Sequence, residues 1–225
     1  MIQFDNVSKK YPLGNSALEN ATFAIEPQEF VFFVGPSGAG KTTILKLLMK
    51  QIQPTSGSIF VNGTDIADKK FHDVLKLRRS IGMIFQDFKI LYDRSVFENV
   101  ALSLEVEEIG KKRIKKEVEE ALSTVGILDK KLVFPVQLSA GELQRVAIAR
   151  AVVGGRDIIL GDEPTGNLDP KTSWDIMKIF KKLEENKTIL IATHNVDVVN
   201  SSKKRVITLQ DGRIIKDEKK GGYQL

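Results

Sequence analysis

Gly35-Pro36-Ser37-Gly38-Ala39-Gly40-Lys41-Thr42 follows the apolar run 30–34 and leads into residues 43–50, whose apolar spacing is helical. The form G-x-x-x-x-G-K-T between a strand and a helix has a physical purpose. Glycines carry no Cβ, so backbone N–H groups and a helix N-terminus can close around a phosphate. The ligand implied is a nucleoside triphosphate. The motif directs Lys41 to the β- and γ-phosphates, the Thr42 hydroxyl to Mg²⁺ and Thr43 to the α-phosphate, with Pro36, Ser37 and Ala39 completing the cradle. A flexible glycine loop is the bland alternative, and the flanking strand and helix weigh against it.

Such a loop leaves kinase, GTPase and motor open, so a second acidic site has to decide. The apolar run 158–160 ends in Asp162-Glu163-Pro164. This sets two adjacent carboxylates at the carboxyl end of a buried strand, where α/β sheets place their ligands. Asp162 is expected to hold Mg²⁺, directly or through water, and Glu163 to polarise an attacking water. Transfer to a metabolite has less need of a water-activating carboxylate, which favours hydrolysis over a kinase reaction. An acidic turn is the alternative.

Leu138-Ser139-Ala140-Gly141-Glu142 opens the apolar-periodic helix 143–152. Ser139 with Glu142 three residues later is a capping box, which by itself explains the pair. Ala140 and Gly141 leave the first N–H groups of that helix uncovered, and such an end attracts an anion. If the anion is the γ-phosphate, a second copy of the chain supplies it.

Around these sites the chain alternates strand-like and helical runs. Strand character is read at 2–7, 22–25, 30–34, 58–61, 81–85, 157–161 and 188–192, with turns at Pro12-Leu13-Gly14 and Asn62-Gly63. Residues 95–125 switch to helical periodicity, and another helix is expected over about 170–185. The runs 205–209 and 213–215, joined at Asp211-Gly212, read as a closing hairpin. The charged, then Gly-rich tail 216–225 is expected to fray. Apolar strands alternating with helices imply a parallel sheet covered on both faces.

Composition narrows the setting. The 225 residues, 42% hydrophobic and 28% charged, suit one large domain or two small ones of ordinary globular type. No apolar run reaches the roughly 18 to 20 residues that span a bilayer, and a place in the cytosol is expected. Zero cysteines exclude disulfides and thiolate metal sites. The formal charge of +5 is spread along the chain. Its densest basic cluster, 111–116, runs into Glu117, Glu119 and Glu120, leaving a solvated helix face, a membrane-proximal patch and nucleic acid as readings in that order.

In sequence order, the Lys41 loop, Phe85-Gln86-Asp87, Leu138-Ser139-Ala140-Gly141-Glu142, Asp162-Glu163-Pro164-Thr165-Gly166-Asn167-Leu168-Asp169 and Ala192-Thr193-His194 resemble the landmarks of an ABC-type ATP-binding cassette across nearly the whole chain. The resemblance implies an α/β P-loop NTPase of RecA-like type: a mostly parallel sheet, an antiparallel β subdomain and an inserted α-helical subdomain. It implies one ATPase domain, with residues 1–87 and 156–225 as the nucleotide-binding core and about 88–155 as the helical, signature-bearing subdomain. The implied cofactors are ATP and Mg²⁺.

Further roles are implied residue by residue. Tyr11 matches the aromatic that stacks on adenine, an ordinary turn tyrosine being its alternative. Gln86 matches the glutamine that senses Mg²⁺ and the attacking water. Ser139, Ala140, Gly141 and Glu142 match the signature that closes on the ATP of a second copy, and Asp169 the loop joining the two sites across the dimer. His194 matches the switch histidine at the γ-phosphate. The chain departs from the family pattern at Ala140, usually Gly, and at Leu143, commonly polar.

Within the family, the stretch 163–169 is similar to the branch of lipoprotein-release, macrolide-export and cell-division ATPases, and 4–11, 81–88, 93–100 and 173–177 favour the cell-division member. That implies a homodimer with ATP bound, an integral membrane partner and a peripheral place on the inner face of the cell membrane, without nucleic acid. Phe88, Ile90, Leu91 and Tyr92 lie where the resemblance places the partner's coupling helix; subdomain core is their other reading. A lipoprotein-release or macrolide-export ATPase and a nucleotide-dependent scaffold with little turnover are the rival functions.

Overall fold

All five residues of β3 (Phe30–Val34) are buried, because this strand lies inside a sheet with an apolar core on each face. Phe30, Phe32 and Val34 enter one core while Val31 and Phe33 enter the other, following the two-residue period of a strand. A computed structural model of the chain describes residues 1–12, 14 and 16–223. In it β3 is flanked by β8 (Thr188–Ala192) and β9 (Arg205–Gln210), and the sheet continues through β7 (Ile158–Asp162) to β6 (Ile81–Ile84). These five strands are parallel. β10 (Arg213–Glu218) adds an antiparallel edge to β9 through a turn in which Asp211 and Gly212 both have positive φ, as a two-residue hairpin demands.

A second, antiparallel sheet holds β1 (Ile2–Lys10), β2 (Ser16–Ile25), β4 (Ser56–Val61) and the two-residue β5 (Thr64–Asp65), in the order β2-β1-β4-β5. Its Ile2, Phe4, Phe23 and Ile59 share the core of Val31 and Phe33 with Ile44, Leu45 and Leu48 of α1 (Lys41–Leu48). On the opposite side α3 (Val96–Val106), α4 (Lys111–Thr124) and α5 (Ala140–Val152) pack on one another. With α6 (Pro170–Leu183) they close the core containing Phe30 and Phe32. Ile114, Val118 and Leu122 of α4 point inward. Its basic outer face is laced by Arg113–Glu117 and Lys116–Glu120 ion pairs one turn apart.

The expected α/β architecture therefore stands, and its differences from the sequence reading are local. α1 begins at Lys41, inside the glycine loop. Two seven-residue helices, α2 (Val74–Ser80) and α7 (Val196–Ser202), escaped the periodicity argument. The turn at 12–14 is closed by Gly14 N–H donating to the Tyr11 carbonyl at 2.9 Å; Leu13 lies outside the described residues.

The tail needs correction. Residues 213–218 form β10, and Tyr223 is buried and hydrogen-bonded to Asn200 through both its N–H and its carbonyl, so at least as far as Tyr223 the chain is tied down. Gln224 and Leu225 lie outside the described residues. Among the described residues no helix is long and apolar enough to cross a membrane.

Candidate functional site

The glycine loop leaves the carboxyl end of β3 and feeds α1. Gly35 has φ 146°, and a Cβ there would lie 2.2 Å from the Leu209 carbonyl oxygen, so only glycine fits. At Gly40 (φ 105°) a Cβ would meet the Ala17 carbonyl at 2.5 Å; the start of β2, which follows the Tyr11 turn, thus abuts the loop. Lys41, only 8% exposed, curls back so that its ammonium donates to the Gly35 carbonyl at 2.7 Å and to the Pro36 carbonyl at 3.0 Å. Burial holds that ammonium below its usual pKa, opposed by the negative charges of Glu163 and Asp162.

Asp162 ends β7, two strands from β3 with β8 between them. Its Oδ1 accepts a hydrogen bond from the Thr42 hydroxyl at 2.9 Å, which joins the glycine loop to the acidic pair. Burial pushes the Asp162 carboxyl upward; the Thr42 hydrogen bond opposes this and the like charge of Glu163 adds to it. A hydroxyl and a carboxylate this close are hard oxygen donors. They suit a cation that keeps several waters and takes phosphate oxygens as further ligands. Among the described residues no group of three His, Cys, Asp or Glu forms a cage of protein ligands alone.

Glu163 adopts φ 48°, a left-handed conformation for a non-glycine residue, and its N–H donates to the Ala192 carbonyl at 2.8 Å. The turn directs its carboxylate at the end of β8. There Oε2 accepts the Thr193 hydroxyl at 2.8 Å and the His194 N–H at 3.3 Å, while Oε1 lies 2.7 Å from His194 Nδ1. His194 is exposed at its ring while Glu163 is mostly covered, so the pair forms a rim of the site. Thr193, buried to 1% exposure, also accepts the Asn195 N–H at 3.1 Å. Its bridging role was not seen in the sequence, although it sits beside a singled-out histidine.

The structure thus gathers Gly35, Pro36, Lys41, Thr42, Asp162, Glu163 and His194 at the carboxyl ends of β3, β7 and β8. Thr43 is buried on α1, and Ala39 is buried beside Gly35. Ser37 and Gly38 are exposed on the loop. Gln86 follows β6 and is exposed; its carbonyl accepts from Asn167 Nδ2 at 3.2 Å. Tyr11 is exposed, with the Lys9 ammonium 5.3 Å from its ring centroid.

Ser139, Ala140, Gly141 and Glu142 gather elsewhere. Among the described residues no hydrogen bond or ion pair joins them to the glycine loop. The capping box at the start of α5 forms as expected. Lys130 also bonds Glu142, whose carboxyl is held down at about 2 by Lys130 first and then by the Ser139 N–H. A Cβ on Gly141 would lie 2.5 Å from Thr172 Cγ2, which gives that glycine a packing reason within the chain. Thr172 is in turn bonded by Asp169, the N-cap of α6, so the first turns of α5 and α6 meet. Leu143 is buried in the core.

Of the four candidate docking residues, Ile90 is buried and Phe88 packs against the core, while Leu91 and Tyr92 are exposed at 38% and 59%. The left-handed pair Phe88–Lys89 is held by Arg150 of α5, which donates to both carbonyls. A lone arginine in the apolar register of 146–152 was the signal for this contact.

Residues 18–166 match the model of the ABC transporter family. The chain belongs to that family and is an ATP-binding cassette, an ATPase. It is 48% identical over 224 residues to the cell division ATP-binding protein FtsE of Bacillus subtilis, covering 99% of this chain and 98% of that one. The protein of the same name in Escherichia coli K12 is 46% identical over 215 residues, with 95% and 97% covered. Among solved structures, the dimeric post-hydrolysis state of the ATP-binding cassette MJ0796 bound to ADP and Pi superposes with a TM-score of 0.87 at 35% identity, covering 99% of this chain and all of that one.

Proposed function

We propose that this chain is the ATP-hydrolysing subunit of a membrane complex of bacterial cell division, acting as a pair of copies that close around two ATP molecules. Residues 35–43 cradle the phosphates, with the Lys41 ammonium leaving the Gly35 and Pro36 carbonyls for the β- and γ-phosphates. Thr42 and Asp162 are the residues to hold Mg²⁺, with Gln86 completing its surroundings; the ion neutralises phosphate charge when bound. Glu163 orients and polarises the attacking water, and His194, which it holds through Nδ1, contacts the γ-phosphate. Tyr11 stacks on adenine.

Ser139, Ala140, Gly141 and Glu142 of one copy close on the ATP held by the other. The exposure of Ser139 and Ala140 at a helix N-terminus, away from their own chain's glycine loop, supports this reading. Asp169, whose capped turn meets theirs, links the two sites. Residues 88–155 act as the moving helical subdomain on a core of 1–87 and 156–225, with Leu91 and Tyr92 offering an exposed apolar contact for the membrane partner.

The observation that carries the proposal is the joined cluster Thr42–Asp162 and Glu163–Thr193–His194 beside Lys41, a phosphate cradle facing a held carboxylate. The names of relatives matched over nearly their whole length support the division assignment and, with it, an integral membrane subunit of the FtsX type that carries ATP-driven motion to cell-wall hydrolases. The chain would then sit peripherally on the inner face of the cell membrane through that partner.

Co-expression with the FtsX-type subunit tests this. The two should co-purify from solubilised membranes, with phosphate release lost in the Glu163→Gln variant. Co-purification with a lipoprotein-export subunit instead would redirect the assignment, and a complex that binds ATP with parental release in Glu163→Gln would reject the catalytic reading.

A further inference from the structure

The last described residues make a built contact that the site's chemistry does not use. After β10 the chain turns back, and the Gly221 N–H donates to the Lys204 carbonyl at 3.1 Å. A Cβ on Gly221 would come within 2.8 Å of Val206 Cβ, and one on Gly222 within 3.0 Å of Asn200 Oδ1, so the glycine pair permits the close approach. Tyr223 then closes the strap. Its N–H donates to Asn200 Oδ1 at 2.6 Å, Asn200 Nδ2 donates to its carbonyl at 3.0 Å, and its ring, 6% exposed, joins the core that contains Val198, Val199 and Val206.

Asn200, Val198 and Val199 belong to α7, and α7 starts two residues after His194. A helix of seven residues is marginal by itself and takes its place from tertiary contacts. Its first turn is coupled to the catalytic rim directly: Asn195 caps Val198 and donates its N–H to Thr193, whose hydroxyl bonds Glu163. The phenol of Tyr223 lies within electrostatic reach of the same carboxylate: burial, and then the negative charge of Glu163, push its pKa upward.

We propose that residues 221–223 are a positioning strap which, by clamping Asn200 and burying Tyr223, fixes α7 and so holds the His194 imidazole on Glu163. The strap touches no reacting atom; it acts through α7. The proposal rests on the roles given above to Glu163 and His194, and its test separates the two.

The chain contains two histidines, His72 and His194, so ring-nitrogen NMR of histidine-labelled full-length protein resolves His194 once a His72→Gln variant has assigned the other signal. Tyr223→Ala and Asn200→Ala should each move the His194 Nδ1 signal toward that of a free imidazole. Both should lower kcat for ATP by about 10- to 100-fold, the size expected when a reacting group is displaced by about an ångström, with KM changed less than about twofold. Tyr223→Phe, which keeps the ring and both backbone bonds, should behave as the parent. An unmoved His194 signal in folded Tyr223→Ala and Asn200→Ala protein overturns the strap. A moved signal with parental turnover leaves the strap standing and rejects the catalytic roles of the pair. Should Tyr223→Ala not fold, Asn200→Ala decides alone, since Asn200 lies at the surface.

Discussion

Replacing Thr193 by valine preserves side-chain shape and removes one hydroxyl, at a residue with 1% of its surface exposed. That hydroxyl donates to Glu163 Oε2 at 2.8 Å and accepts the Asn195 N–H at 3.1 Å. A hydrogen bond to an ionised acceptor is worth about 1.5–3 kcal/mol, so Thr193→Val should lose about 1.5–3 kcal/mol of stability. The carboxylate also loses the shorter of its two Oε2 contacts, keeping the His194 N–H on Oε2 at 3.3 Å and His194 Nδ1 on Oε1. Held only through His194, the proposed base is free to shift, and kcat should fall roughly tenfold or more, which corresponds to about 1.4 kcal/mol of barrier. Urea denaturation at pH 7 reads the first number and phosphate release at saturating ATP the second, with Thr193→Ser as the control that restores both. A Thr193→Val protein within about 0.5 kcal/mol of the parent and with full turnover would refute the claim that this hydroxyl organises the base.

Other perturbations follow from the same contacts. Lys41→Ala removes the ammonium that the Gly35 and Pro36 carbonyls hold beside the loop, and equilibrium titration should show ATP affinity lower by about a hundredfold, near 3 kcal/mol. Arg150→Ala frees the carbonyls of the left-handed pair Phe88–Lys89, at a cost of about 2–4 kcal/mol for two charge-assisted bonds; deuterium exchange over 86–92 should accelerate while α4 stays protected. Glu142 has a folded pKa of about 2 against 4.5, a depressed value. Its contribution is therefore present above pH 4.5 and lost as the pH falls toward 2. Allowing for solvent screening, a Glu142→Gln variant should be less stable by about 1 kcal/mol at pH 7 and match the parent near pH 2 in denaturant titrations.

What the sequence disclosed was set by local rules. The loop 35–42, the Asp162–Glu163 step and the Ser139–Glu142 capping box are each written in a few adjacent residues whose backbone needs admit little else. β3, β7 and β8 were legible because fully buried parallel strands read as unbroken apolar runs. What stayed hidden depends on partners distant in sequence. Thr193 gained its bridge from Glu163 thirty residues earlier, and Asn200 its clamp from Tyr223. α2 and α7 are too short to display a period, and the tail's polar, glycine-rich composition concealed that its glycines serve close contact. Asp169-Pro170 carries a helix-start signal, an N-cap followed by proline at the first helical position, and the helix expected from about 170 begins there.

Two copies closing on shared ATP is the claim on which the functional account stands, and the mass of the Glu163→Gln protein in solution tests it most directly. Light scattering on that variant with ATP and Mg²⁺ should find twice the mass of the 25.1 kDa chain, reverting to the single chain when ATP is withdrawn or when Ser139→Arg is added. A single-chain mass while ATP is demonstrably bound, or a doubled mass indifferent to both nucleotide and Ser139, would contradict it.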